Sequence, residues 1–223
     1  MELAELLAVE PGITALIGSG GKTTALYLLA EELSRRGTVI CAASTRILRP
    51  DHLPVLLDPS AEALSAALAE SRVVCAGRAA AEGKLTAPPL PWETLAALAD
   101  YVLVEADGAR RLPCKAHLPH EPVIPAGTGQ TILLAGASGF GKPVQEAAHR
   151  PEVFCRLAGL REGDPITPRA LAEVIRREGL ADKVFVNQAE LPGAMEQVRE
   201  LAALLPVPVF AGSLRKRSFV CLS

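Results

Sequence analysis

No stretch of this chain is long and apolar enough to cross a membrane as a helix, which takes ~20 residues. The charge does not lean to one side either: 23 lysines and arginines stand against 25 aspartates and glutamates, a formal net charge of −2. That balance supplies no basic field for nucleic acid or an anionic lipid surface, so neither partner is expected. The five cysteines (Cys41, Cys75, Cys114, Cys155 and Cys221) include no close pair and no Cys/His spacing of a zinc site. A disulfide framework and a structural zinc are thereby excluded. Cys41, Cys75 and Cys221 lie inside apolar runs and are expected to be small core residues. The opening Met1-Glu2-Leu3-Ala4-Glu5 is acidic and lacks the positive start of a secretory leader, so the expected location is cytoplasmic. Repeats and low-complexity linkers are also missing.

What is present is a chain of 223 residues, 49% hydrophobic and 22% charged, a composition that places it among folded globular proteins. The length suits one sizeable α/β domain over residues 1–223 and would cramp two. Short apolar runs at Ile13–Ile17, Thr38–Ala42, Arg72–Ala76, Tyr101–Glu105, Thr131–Ala135, Lys183–Asn187 and Val207–Ala211 read as strands. They are continuous rather than alternating, as in strands covered on both faces. Between them lie helical patterns at Thr23–Arg36, Ser60–Glu70, Pro91–Ala99, Pro168–Glu178 and Gly193–Leu205. Strand and helix in alternation predict a doubly wound, mostly parallel α/β sheet with helices on both faces. Ligands of such sheets collect at the carboxyl ends of the strands.

The first strand end carries the strongest signal. Ile13–Ile17 runs into Gly18-Ser19-Gly20-Gly21-Lys22-Thr23-Thr24 and then into a helical pattern. Strand, glycine loop and helix in that order make a phosphate cradle, with backbone N–H groups and the positive helix end aimed at one spot. Glycines let the backbone close around an anion. Lys22 is expected to reach the terminal phosphates from the surface of the site, and the Thr23 hydroxyl to hold Mg²⁺. Most such loops have a glycine six residues before the lysine; here that residue is Leu16. The shortened form resembles the phosphate loop of the Mur ligases and folylpolyglutamate synthetases. The expected ligands are a nucleoside triphosphate, GTP or ATP, and Mg²⁺, and the chemistry is that of a P-loop nucleotide hydrolase or nucleotide-dependent transferase.

The other strand ends supply the remaining candidates. Glu105 and Asp107 follow an apolar strand, where a P-loop enzyme needs carboxylates to hold the metal or orient water. If the strand continues, residues two apart share a face. After Thr38–Ala42 come Thr45 and Arg46. The proline-rich segment from Leu112 to Gly129 and the residues just before it present Arg110, Arg111, Lys115 and His120 to an anionic second substrate. His117 is a candidate acid–base group. Gly139-Phe140-Gly141-Lys142 is a weaker anion loop, and Arg215-Lys216-Arg217 reads as a solvated charge run. Asn187-Gln188-Ala189-Glu190 resembles the base-reading motif of GTPases, with Glu190 accepting from guanine; alternatively Asn187 and Glu190 cap the following helix.

Several of these stretches together resemble the YqeC-like accessory proteins of selenium-dependent molybdenum hydroxylases. They are the glycine loop, Ser44-Thr45-Arg46-Ile47, Glu105-Ala106-Asp107-Gly108, Lys115-Ala116, His120-Glu121-Pro122-Val123-Ile124-Pro125 and His149-Arg150-Pro151-Glu152. The resemblance implies a P-loop fold and a role in maturing the selenium- and molybdenum-containing cofactor of such hydroxylases, with a molybdenum hydroxylase or its maturation proteins as partners. Two other classes stay open: a ligase of the Mur type acting on an anionic substrate, and a non-catalytic nucleotide-sensing chaperone.

Overall fold

The computed structural model describes residues 1–223. The strands are β1 (Gly12–Gly18), β2 (Val39–Ala43), β3 (Ile47–Leu48), β4 (Val55–Leu57), β5 (Val73–Ala79), β6 (Lys84–Thr86), β7 (Tyr101–Glu105), β8 (Cys114–Lys115), β9 (Thr128–Gly136), β10 (Ala148–His149), β11 (Lys183–Asn187), β12 (Val209–Ser213) and β13 (Ser218–Cys221). The helices are α1 (Leu3–Leu6), α2 (Lys22–Leu33), α3 (Ala61–Ser71), α4 (Trp92–Leu98), α5 (Val144–Ala147), α6 (Pro151–Ala158), α7 (Pro168–Glu178) and α8 (Ala194–Leu204). One sheet runs in the order β13-β12-β11-β9-β1-β7-β2-β5-β6-β3, with β4 beside β5; β8 and β10 form a separate pair. From β12 to β5 all neighbours are parallel, while β13, β6 and β3 are added antiparallel at the edges. The architecture is a mostly parallel α/β sheet flanked by helices.

Side-chain alternation along the central strands distributes the core. In β1, Leu16 packs with Leu26 and Leu29 of α2 and with Leu103 of β7. Its neighbours Ala15 and Ile17 pack on the opposite face with Phe154 of α6, Leu171 of α7 and Val198 of α8. Further along that face Ile13, Val102 and Val104 meet Leu64 and Leu95 of α3 and α4. Strands buried on both faces need apolar residues at every position, which is why these runs are continuous.

Sequence reading locates the seven interior strands and five of the helices. It misses α1, α5, α6 and the two- to four-residue strands β3, β4, β6, β8, β10 and β13, whose lengths fall below any detectable period. Cys221 is a correction: it lies on β13 and is exposed, because an apolar run on an edge strand has no further layer to bury it. Cys41 and Cys75 are buried between the helical layers. No helix is long and apolar enough to cross a membrane.

The sheet order positions the site. Strand β7 inserts between β1 and β2, so the glycine loop and the end of β7 are neighbours, with Leu16 opposite Glu105. Strands β9 and β11 lie on the other side of β1.

Candidate functional site

Three residues, Ser19, Gly20 and Gly21, carry the chain from β1 into α2, and the turn is held open by its own hydrogen bonds. Ser19 N–H donates to Leu134 C=O at 2.8 Å and Gly20 N–H to Leu112 C=O at 3.3 Å; Ser19 Oγ–H also donates to Leu112 C=O. Gly21 has φ +127°, and a Cβ there would meet Asn187 Nδ2 at 2.8 Å, so only glycine fits. Asn187 braces the loop by donating Nδ2–H to Gly20 C=O at 2.8 Å while its Oδ1 accepts from Leu214 N–H at 3.0 Å. The first helical bond is Ala25 N–H to Gly21 C=O. The N–H groups of Gly21, Lys22, Thr23 and Thr24 therefore have no acceptor within the protein. They converge at the positive end of α2, an arrangement suited to phosphate oxygens.

Beside them Thr23 Oγ1–H donates to Glu105 Oε2 at 2.8 Å. Burial pushes the Glu105 carboxyl up, against the Lys22 charge and the Thr23 hydrogen bond, and the net shift is upward. Such a carboxylate is stabilised by an added cation. A hydroxyl and one carboxylate are hard oxygen donors, the set that suits Mg²⁺, which keeps several waters and takes few protein ligands beside phosphate. The residues fit that ion, and Thr23 and Glu105 would be its protein ligands.

Asp107 goes elsewhere. The strand ends at Glu105, Ala106 N–H bonds Leu16 C=O, and the chain turns inward. The Asp107 side chain is fully buried and lies outside the cleft lining. Its Oδ1 pairs with Lys22 Nζ at 2.9 Å. Its Oδ2 accepts from Gly18 N–H at 2.9 Å and lies 2.6 Å from His117 Nε2 and 3.2 Å from Lys115 Nζ. Burial raises its pKa, but the His117 hydrogen bond and the Lys22 and Lys115 charges outweigh that and hold it at about 2. As placed, Asp107 is a counter-ion within the protein rather than a metal ligand: Oδ2 is held by Gly18 N–H and His117, and Oδ1 faces the Lys22 ammonium without a hydrogen bond. Lys22 is a second correction: its ammonium is buried on Asp107 and on Gly18 C=O at 2.6 Å, not held at the surface of the site.

The same network absorbs Lys115 and His117. Lys115 Nζ donates to Gly108 C=O at 2.6 Å and pairs with Glu121 at 3.2 Å, and Glu121 pairs in turn with Arg150 at 3.2 Å. His117 Nδ1 lies 2.8 Å from Glu178 Oε2, and its N–H donates to Glu178 Oε1 at 2.6 Å. Both ring nitrogens face carboxylates, which leaves none to exchange a proton with substrate; His117 is a clamp between β7 and the end of α7. Burial lowers its pKa, but the hydrogen bonds to Asp107 and Glu178 and their charges prevail and the net shift is upward. A raised histidine stabilises fully below its unfolded pKa of about 6.5 and loses that contribution as pH rises through the folded value. Urea midpoints are accordingly expected to fall from pH 6.5 upward, with a slope of at most about 1.4 kcal/mol per pH unit for one proton. His117→Gln should flatten that slope; a wild-type protein with pH-independent stability above 6.5 would contradict the clamp.

The open side of the phosphate loop is a cleft of about 940 Å³. Besides the loop and Glu105 it is lined by Arg46, Lys84, Arg110, Arg111, Asn187 and Gln188. Arg110 and Arg111 reach it because Leu112 is tied to Ser19 and Gly20. Thr45 is half-buried, with its hydroxyl turned inward and unpaired. His120 is exposed and away from the cleft, because Lys115 and His117 on the same segment are drawn inward. Lys142 of the second glycine loop is exposed and also outside the lining. Glu190 lies outside the lining too and accepts from Ser213 Oγ–H at 2.7 Å. Neither Asn187 nor Glu190 caps a helix, since α8 begins at Ala194 with Gly193 before it. Glu178, Glu82, Lys84 and Ser138 had no signal in the sequence; each is joined to the site only by the fold.

A family model described as YqeC protein matches residues 14–152. That span contains the glycine loop, Glu105, Asp107, His117 and Arg150. The chain is also similar to a protein of Escherichia coli (strain K12) described as uncharacterized protein YqeC, 30% identical over 176 residues, covering 74% of this chain and 68% of the relative.

Proposed function

The chain belongs to the YqeC family, and we propose that it is a Mg²⁺-dependent P-loop protein that binds GTP or ATP and hydrolyses or transfers the terminal phosphate. In this reading it acts as an accessory protein in maturing the selenium- and molybdenum-containing cofactor of selenium-dependent molybdenum hydroxylases, as its sequence resemblance implies. One observation carries the nucleotide reading. The unpaired N–H groups of Gly21 to Thr24 converge beside a Thr23–Glu105 pair at 2.8 Å, with a lysine ammonium within the same loop.

The residues divide the work. The loop N–H groups hold phosphate oxygens in place, and their positions are fixed before binding by Asn187 and Leu112. Lys22 exchanges its Asp107 contact for the phosphates. Thr23 and Glu105 would hold Mg²⁺, which would supply positive charge to offset the charge that develops on the terminal phosphate. Asp107, Lys115 and His117 keep the loop in register from behind.

Calorimetric titration of Mg·GTP and Mg·ATP tests the reading, with GTP–ATP competition deciding the base. One equivalent of nucleotide is expected. Glu105→Gln should weaken binding about tenfold with Mg²⁺ present, the loss of one charge-assisted contact, and change metal-free binding little. Equal wild-type affinities with and without Mg²⁺ would remove Thr23 and Glu105 from the metal.

A further inference from the structure

The cleft reaches from the phosphate loop out to Arg46 and Lys84. The volume of about 940 Å³ lies at the top of the ~300–1,000 Å³ range of single-ligand pockets. The strand order gives the cleft a direction. Thr23 and Glu105 mark the terminal-phosphate end, on the β7 side of the loop, while Asn187 and Gln188 come from the β11 side. A nucleotide whose last phosphate sits at Thr23 therefore runs its base toward Asn187. Arg46, which follows β2, and Lys84, on β6, belong to the opposite end.

Three guanidiniums on the cleft make no ion pair within the protein. Arg46, Arg110 and Arg111 are exposed, line the cleft and make no ion pair, whereas Lys84 is held by Glu82, a carboxylate that also lines the cleft and feels the Arg46 charge. Unpaired like charges sharing one cleft repel one another unless an anion joins them. Arg110 and Arg111 are consecutive left-handed residues, φ +48° and +62°, and the loop that carries them is bonded to the phosphate loop through Leu112. Three guanidinium forks supply more donors than a carboxylate can accept; the three terminal oxygens and near-double charge of a phosphomonoester match them better.

We propose that the cleft binds a second ligand together with the nucleotide, a phosphorylated small molecule held by Arg46, Arg110 and Arg111. The inference rests on the nucleotide reading of the same cleft. It gives a transferase its acceptor site, next to the terminal phosphate.

Inorganic phosphate is the probe. Protein is first saturated with Mg²⁺ and a non-hydrolysable GTP or ATP analogue, and phosphate is then titrated in by calorimetry. One further equivalent of phosphate should bind, about tenfold weaker in Arg46→Ala and in Arg111→Gln, with nucleotide affinity unchanged in both. Acetate at matched concentration should not displace it. If no phosphate binds, or both variants bind it as wild type does, the acceptor site is overturned. If the variants lose the nucleotide instead, the arginines serve the triphosphate and the proposal again falls. If acetate displaces the phosphate, the site takes carboxylates and the phosphomonoester assignment fails. Failure of the nucleotide reading looks different: the analogue does not bind at all. Phosphate titrated alone then answers the question, since binding lost in Arg46→Ala but kept in Lys22→Met supports the arginine site, and the reverse overturns it.

Discussion

Asp107→Ala is expected to cost about 3–5 kcal/mol of folding stability, the range for removing one partner from a buried ionic cluster. The residue is fully buried, and it is the common anion for Lys22, Lys115 and His117. Its removal leaves those cations facing one another in a desolvated space and takes the acceptor from Gly18 N–H. A domain holds together by only ~5–15 kcal/mol, so the variant should have a markedly lower urea midpoint. Asp107→Asn keeps a carbonyl acceptor for Gly18 and should lose less. Adding Lys115→Met to Asp107→Ala removes one stranded charge and should return part of the loss, a coupling that independent sites would not show. A fall of less than about 1 kcal/mol in Asp107→Ala, with the denaturant slope unchanged, would mean that the cluster is not a supporting element. Acid should reproduce the effect. The contribution of Asp107 is present above its unfolded pKa of 3.8 and is lost as pH falls toward about 2.

The glycine loop is legible because its parts are contiguous: strand, turn and helix lie within a short stretch and each local preference agrees with the fold. Glu105 is legible for a similar reason, as the residue that ends an apolar run. Asp107 is not. The two-residue period that would place it beside Glu105 holds only while the strand continues, and the chain leaves the sheet at Ala106. His117 and Glu178 are 61 residues apart, and nothing in the composition of either segment announces that one clamps the other. Lys115 and His117 read as loop residues because prolines surround them, but β8 pairs with β10 and draws both inward. Their buried charges are satisfied by Asp107, Glu121 and Glu178, contacts that only the tertiary structure supplies. Arg110 and Arg111, five and six residues beyond the end of β7, stay on the cleft because Leu112 anchors their loop to the glycine turn.

Lys22→Met is expected to lower the affinity for Mg·nucleotide on the order of a hundredfold, equivalent to about 3 kcal/mol, the loss of one or two charge-assisted contacts to phosphate. The prediction has to account for where the ammonium is held, on Asp107 at 2.9 Å and Gly18 C=O at 2.6 Å. Moving it to a phosphate exchanges one anion for another, and Asp107 keeps Lys115 and His117 as partners, so the exchange is inexpensive. The same reasoning ranks the stability effects. Lys22→Met leaves two cations on Asp107 and retains the apolar stem of the side chain, so it should lower the urea midpoint less than Asp107→Ala does. Affinity and stability thus separate in the two variants: Lys22→Met loses mainly binding, whereas Asp107→Ala loses mainly stability. Calorimetric titration beside a urea curve reads both quantities. A Lys22→Met protein that binds Mg·nucleotide like wild type, and loses only stability, would make the lysine a structural partner of Asp107 and take the phosphate cradle out of the site.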